Sequence, residues 1–325
     1  LIKVNRFNSW EQFNSNTEVY YNNSQSLLKF IKLCKTIPTD DFLFIIGIYS
    51  LKYNIIPLLF SHSKNKILSV RGMLHPGALS QKSFKKKLFL FFFKLIKIHK
   101  RITFHATDEN EKLFIQKIFG EKTKIIIAEN YPKIYSSKFN LLKEKGSLSM
   151  ISVGLISPMK NYLLVLKSLK LCRSVIKYHI IGAVKDRDYW DKCLKEIDNM
   201  PKNIEVIYHG EKEPNEVINY FEHCHLFILP SKSENYGHAI IEALSAGKPV
   251  ITSINTPWNN LKNSTAGFNV DFDIDSIKKS IEFFADLNQD EYNLYSKNAA
   301  AYAKQSIDLN KINQQYNNLF SIHKT

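Results

Sequence analysis

Past residue 148 the chain alternates short apolar runs with amphipathic segments, and no other feature narrows its possible folds as much. The runs SMISVG (149–154), YHIIGA (178–183), IEVIYHG (204–210), HLFILPS (225–231) and KPVITS (248–253) have the length and content of buried strands. Helical patterns near 160–172, 187–198, 214–223, 236–246 and 275–286 separate or follow them. Each return from strand to strand through a helix lays that helix on a face of the sheet, so this order demands a mostly parallel sheet covered on both sides. The second half is expected to be a doubly wound α/β domain.

The first half shows the same alternation less cleanly. Strands are expected at DFLFIIG (41–47), KILSVRG (66–72), ITFHAT (102–107) and KIIIAEN (124–130), with helices near 24–36, 81–99 and 109–119. The polar, aperiodic stretch 134–149 marks the connector between two domains, drawn at 1–140 and 141–307. Residues 308–325 are expected to form a C-terminal helix, without a strand to follow, packing back toward the first domain.

Composition sets the outer limits. With 44% apolar residues in 325, the chain can bury two cores, and disorder is excluded. Its longest uncharged apolar run, 88–93, is far short of the roughly 18 residues of a membrane span. Lys plus Arg minus Asp plus Glu is 45 − 30 = +15, which favours an anionic partner: nucleic acid, phosphorylated small molecules or an acidic membrane leaflet. Cys34, Cys172, Cys193 and Cys224 form no C-x-x-C, which fits a reducing cytoplasm better than a disulfide or zinc framework. The opening LIKVNRFNSW lacks the segments of a secretory signal, and its initial Leu suggests a missing beginning.

The most informative stretch is HLFILPSKSENYGHAIIEALSAGKPVITS (225–253). A strand ends at Pro230, a polar loop follows, and a helix is expected to begin near Asn235 and stop at Gly247. That places Gly237 in the first helical turn, where a missing Cβ lets a ligand approach the backbone and unpaired N–H groups favour phosphate. The carboxyl edge of the strands is where ligands bind in open α/β sheets. Glu234 precedes the helix and Glu242 lies eight residues on, about 12 Å along a continuous axis. The two carboxylates cannot grip one atom, but they suit a long ligand with hydroxyls at each end and phosphates between, such as a sugar joined through a diphosphate to a ribose. Alone, the pair reads as a capping acid and a solvated helix residue; the surrounding strand, loop and glycine favour the ligand.

SENYGHAIIEALSAGKPVI resembles the E-x7-E region of the retaining, group 1 (family 4) glycosyltransferases of GT-B fold. In that fold two Rossmann-like, doubly wound parallel-sheet domains face each other across a cleft. Carried onto matching positions, the resemblance implies that Glu234 contacts the donor sugar and Glu242 the ribose hydroxyls. Backbone around Asn235, Tyr236, Gly237 and His238 would hold the diphosphate. SVGLISPMKN (152–161) resembles the family's G-R-x-S-P-x-K-N/G segment: Gly154, Ser157, Pro158, Lys160 and Asn161 fall in place. Lys160 would then neutralise the leaving diphosphate, while Leu155 occupies the position of a second cation. IYHGEKEPNEV (207–217) and NTPWNNLKNSTAGFNV (255–270) resemble later family loops, and VRGMLHPGALSQK (70–82) and FHATDENE (104–111) carry the resemblance more faintly into the first half. The family opens with a strand leading into a Gly-rich loop, yet Gly47 is the first glycine here, so the chain either starts after that unit or builds the loop without it.

Other chemistry is weaker. DFDID (271–275) and KDRD (185–188) could hold a metal, but each precedes a helix pattern where Asp caps N–H groups, so no metal is predicted. His75 and His105, at the ends of first-domain strands, could position or deprotonate an acceptor hydroxyl, or could be satisfied by polar neighbours. Arg71 beside His75 joins them on the acceptor side. His209, His223, His225 and His238 have no metal-ligand spacing. Residues 83–101, SFKKKLFLFFFKLIKIHKR, read equally as a helix packed on the sheet and as one laid on anionic lipid, inner residues doing the first and basic ones the second. No nucleic-acid motif accompanies them.

These readings converge on a hexosyltransferase that uses a nucleoside diphosphate sugar without metal or other cofactor, with Glu234, Lys160 and His75 catalytic. The acceptor would be an oligosaccharide or a polyprenyl- or lipid-linked sugar in surface polysaccharide synthesis, at the inner face of the cell membrane. The alternative is a GT-B shell impaired at Leu155 that serves as a binding or regulatory module.

Overall fold

A four-stranded parallel sheet organises the first of two units in the computed structural model, which describes residues 7–23, 26–80, 83–136 and 141–321. This unit comprises the described residues of Ile2–Tyr131 and Leu309–Thr325. A hairpin of β1 (Trp10–Asn14) and β2 (Thr17–Tyr20) leads to α1 (Leu27–Lys35), then β3 (Phe42–Ile46), α2 (Ile56–Phe60) and β4 (Asn65–Ser69). After these come α3 (Pro76–Ser80), α4 (Ser83–Leu95), β5 (Thr103–Ala106), α5 (Glu109–Phe119) and β6 (Ile125–Ile127). The strands pair in the order β3-β4-β5-β6. β5 is buried at every position, as a strand covered on both faces should be. Asp108 heads α5 by accepting the Glu111 amide at 2.8 Å.

The expected helix at 24–36 begins only at Leu27, with Ser24 and Gln25 outside the described residues, as are Gln81 and Lys82 of the expected helix 81–99. α4 stops at Leu95 rather than near 99, because the backbone turns left-handed at Lys97 (φ 55°) before a short turn at Ile98–Lys100. Four residues of the expected connector, 137–140, also lie outside the description.

Pro132–Asp308 forms the second unit. Its elements are β7 (Ser147–Val153), α6 (Tyr162–Leu169), β8 (Val175–Ile181), α7 (Arg187–Ile197), β9 (Ile204–Tyr208) and α8 (Val217–Glu222). They continue through β10 (Leu226–Leu229), α9 (His238–Ser245), β11 (Val250–Ser253), β12 (Gly267–Val270), α10 (Ile274–Asp286) and α11 (Gln289–Ser306). All six strands are parallel in the order β12-β11-β10-β7-β8-β9. The chain winds outward from β7 to β9, crosses back, and winds the other way from β10 to β12. Crossovers therefore diverge between β7 and β10, opening a crevice at their carboxyl ends. β10, LFIL, is wholly buried. β12 is a strand of only four residues, GFNV, beginning at Gly267, and α11 falls outside the helix runs expected from the sequence, being mostly polar and started by a capping box of Asn288 and Glu291.

A last helix, α12 (Leu309–Ser321), returns to the first sheet, where Leu319 and Tyr316 pack with Phe42, Phe44, Ile67 and Ala128. Gln315 accepts the Glu129 amide at 2.9 Å and Lys311 meets the Glu129 carboxylate at 2.5 Å. Asp186 and Asp273 accept the Tyr189 and Ser276 amides at 3.0 and 2.7 Å, heading α7 and α10 as caps. No helix among the described residues is long and apolar enough to cross a membrane.

Three glycines close the carboxyl ends of β7, β8 and β9. Gly154 donates to Ile181 at 2.9 Å and Gly182 donates to Gly210 at 2.8 Å. Gly182 has φ 148°, and a Cβ on it would stand 2.0 Å from the Gly154 carbonyl oxygen. Backbone rather than a flexible side chain is in the way, so Gly182→Ala should lose about 3 kcal/mol or more of stability, read as a lower urea midpoint.

Candidate active site

Two loops leave the crevice between β7 and β10, and the backbone ties them together: the Lys232 amide donates to the Met159 carbonyl at 2.8 Å. The first loop turns through Ser157, whose carbonyl accepts the Lys160 amide at 3.0 Å, and enters α6 at Asn161, held left-handed at φ 62°. The second leaves β10 with Ser231 bonded back to Leu229 at 2.8 Å and hangs Glu234 from the Asn255 carbonyl at 3.4 Å. Their side chains meet. Lys160 Nζ lies 2.5 Å from Glu234 Oε1, with the lysine side chain 22% exposed and the glutamate 10%. A charge-assisted contact this short in a largely dry position holds both chains in one rotamer. Gly154 completes the first loop, its carbonyl accepting the Tyr162 hydroxyl at 2.7 Å.

The helix start differs from expectation. α9 begins at His238, and Gly237 is its N-cap at φ 78° rather than a residue of the first turn, so Asn235 and Tyr236 belong to the loop. A Cβ on Gly237 would meet Ile240 Cδ1 at 3.0 Å and Trp258 Nε1 at 3.2 Å, which reserves the position for glycine. Trp258 donates its indole N–H to the Tyr236 carbonyl and stands edge-on to the Tyr236 ring at 5.3 Å, while Tyr236 lies 4.7 Å from the His238 ring. The N-cap glycine brings no side chain of its own to the start of α9; the Gly237 carbonyl accepts the Ile240 amide at 2.9 Å, and the positive end of the helix lies beside the loop that carries Glu234. Since only 238–242 is helical, one axis does not set the spacing of Glu234 and Glu242, and the expected 12 Å does not apply.

Glu242 is not a solvated helix residue. Burial pushes its carboxyl up to about 7, and the Lys133 ammonium pulls the other way. Lys133 is itself fixed, donating to the Pro214 carbonyl at 3.2 Å and Asn215 Oδ1 at 3.0 Å above the Tyr135 ring at 5.0 Å. The Tyr135 amide donates to Ser245 Oγ at 3.0 Å, and that hydroxyl donates to the Glu242 carbonyl at 2.8 Å. Residues 133–135 thus strap the loop after β9 to α9 beside Glu242. Sequence reasoning missed them because their segment has no period and looked like a connector.

The family model for glycosyl transferases group 1 matches residues 134–302, just over half the chain, including Lys160, Glu234 and Glu242. The chain belongs to that family. The O-antigen chain mannosyltransferase RfbU of Salmonella typhimurium is 24% identical over 201 residues, 62% of this chain and 54% of that protein. A mutant of S. aureus TarM in complex with fondaparinux, alpha-GlcNAc-glycerol and UDP matches with a TM-score of 0.69 at 16% identity, covering 94% of this chain and 60% of that one. Anabaena HepE in complex with UDP and glucose matches at 0.67 and 16% identity, covering 91% of this chain and 81% of that one. The chain therefore spans little more than half the length of RfbU and TarM. Its fold is GT-B, with a Rossmann-like parallel sheet in each unit.

In the first unit of this glycosyltransferase, Arg71 (φ 47°) and His75 lie on the loop after β4. The Arg71 guanidinium donates to Asn130 Oδ1, and His75 is exposed, accepting the Gly77 amide at 3.1 Å and edge-on to Phe114 at 5.2 Å. His105 fits the second of its expected readings, a histidine satisfied by polar neighbours. It is fully buried in β5, its ring nitrogens bonded to Ser69 Oγ and the Ala128 carbonyl at 2.8 Å each, and burial lowers its pKa. His225 is likewise buried between the Ser149 amide and the Leu142 carbonyl, and His209 stacks on His179 at 5.1 Å.

A carboxyl whose pKa is raised by folding binds protons more tightly in the native state, so stability is greatest below the unfolded value and falls as pH rises from about 4.5 to about 7. Glu242→Gln removes that slope. Relative to the parent, the variant should gain on the order of 2 kcal/mol between pH 4.5 and pH 8, seen in paired denaturation curves.

Proposed function

We propose that this glycosyltransferase moves a hexose, with retention, from a nucleoside diphosphate sugar to a hydroxyl of an oligosaccharide or lipid-linked acceptor in surface polysaccharide synthesis. The contact of Lys160 with Glu234 beside the glycine-headed start of α9 carries the reading. An entering diphosphate offers Lys160 a new counter-charge and lies against the amides around Tyr236, Gly237 and His238, with Gly154 and Asn161 shaping the opposite wall. Glu234, released from the lysine, accepts hydroxyls of the sugar. Glu242 accepts those of the ribose in its ionised form. The acceptor hydroxyl attacks the anomeric carbon from the face the diphosphate leaves, and Lys160 with the helix amides meets the departing charge, a preorganised electrostatic effect that assigns no task to a metal. Arg71 and His75 are assigned to the acceptor. The names of RfbU, a mannosyltransferase, and of HepE with UDP and glucose support a hexose and a nucleotide.

We assign the lipid side to α4. Leu90 and Phe93 enter the core, whereas Phe84, Phe91, Phe92 and Leu95 are exposed among Lys85, Lys87 and Lys94. Apolar rings at headgroup depth and about 1 kcal/mol per basic residue suit peripheral attachment to the inner, anionic leaflet. A second reading follows from Leu155, 47% exposed where the family motif carries Arg: a shell that binds nucleotide without transferring sugar.

Lys160→Ala should lower turnover roughly 10- to 1000-fold with the fold intact, measured as nucleotide release across a panel of UDP-, GDP- and ADP-sugars. An unchanged rate refutes the assignment, and nucleotide binding without release in the parent supports the shell. Phe91→Ser with Phe92→Ser should reduce co-sedimentation with phosphatidylglycerol vesicles several-fold.

A further inference from the structure

Six basic side chains gather round a cavity of about 690 Å³ at the amino edge of the first sheet. Lys64 and Lys66 flank the start of β4, Lys100 and Arg101 precede β5, and Lys122 and Lys124 precede β6. Topology explains the convergence: parallel strands bring all their amino ends to one edge, and α4 and α5 finish there. Arg71 and His75 follow the opposite end of β4, whose five residues at about 3.3 Å each put roughly 16 Å between the two places. The cavity is therefore separate from the loop that carries Arg71 and His75, and its lining lies wholly within the first unit.

The charges are uncompensated. None of the six makes a salt bridge among the described residues, and Glu121 is the one acid in the lining. Lys66 is held in place, its ammonium donating to the Leu58 and Ser61 carbonyls at 2.7 and 3.1 Å, and burial together with the Arg101 charge lowers its pKa. Helix C-terminal dipoles favour a neighbouring cation by about 0.3–1 kcal/mol, which accounts for one or two such residues and not for six. Like charges held around a concave surface raise the local potential, and an anion entering it relieves the repulsion. Lysine ammoniums and a guanidinium fork are the donors that match phosphate oxygens. The His99 ring, stacked on Phe119 at 5.6 Å, adds an aromatic wall.

We propose that this cavity is a second anion site, which takes a ligand bearing one or more phosphates with at least two negative charges. Its source is a soluble phosphate compound or the headgroup of an anionic lipid, and the donor assignment above is not needed for it.

The test titrates pyrophosphate into the full chain by calorimetry with UDP at saturation, and repeats it in a Lys160→Ala background, so that any anion binding in the second unit is blocked in two independent ways. In parallel, phosphatidylcholine vesicles with and without phosphatidic acid are floated with the protein. A variant with Lys64→Ala, Lys122→Ala and Lys124→Ala should weaken the phosphate-dependent binding roughly tenfold or more. Its ligand-free melting curve controls for folding, and Lys122→Glu alone replaces it if the triple variant does not fold. Loss of pyrophosphate binding identifies a soluble ligand, and loss of phosphatidic acid binding a headgroup. If pyrophosphate binding disappears at saturating UDP and in the Lys160→Ala background, or is equal in parent and triple variant, and vesicle binding is equal in both as well, the site does not exist.

Discussion

β10 returns to pair with β7 instead of extending the sheet beyond β9, and that single choice of neighbour creates the crevice. Parallel strands send their following loops to the same edge, so the segments after β7 and β10 must emerge side by side although their charged residues are 74 apart in sequence. The Lys232 to Met159 backbone bond fixes one loop against the other, and Gly182 lets the end of β8 press against the end of β7. The side chains of Lys160 and Glu234 come together as a consequence of these backbone contacts.

The site holds charge in two different ways. Lys160 and Glu234 meet as a direct ion pair at 2.5 Å in a largely dry place. Glu242 makes no such contact among the described residues and feels its lysine only at a distance, so burial dominates and carries its titration toward neutrality. A carboxyl placed this way changes its ionisation near physiological pH, which ties native-state stability to acidity through one residue.

Much of the second unit was legible because its strands are apolar runs bounded by turn residues, a pattern that survives without tertiary information. β12 and α11 were harder: four residues of mixed character and a polar helix have little periodicity, and packing against the rest of the sheet decides them. The start of α9 was misplaced because the left-handed backbone at Gly237 is a matter of dihedral angle, and a glycine in a helical stretch looks the same whether it lies within the turn or ahead of it. His105 shows the limit of reading a polar residue at a strand end as exposed; the covering by α12, with Tyr316 5.9 Å from the imidazole, comes from more than two hundred residues away. The Lys133 strap was invisible for the same reason, its partners Pro214, Asn215 and Ser245 being remote in sequence.

The mutual satisfaction of Lys160 and Glu234 also sets the terms on which the proposed donor would enter the crevice. A neutral sugar arriving alone would have to take the carboxylate from its ammonium and leave that cation stranded, while a bare phosphate would do the reverse and strand the carboxylate. Only a molecule that presents an anion and hydroxyls together replaces both halves of the contact at once. On the proposed reading, that condition favours a conjugate over its separate pieces before any complementary shape comes into play.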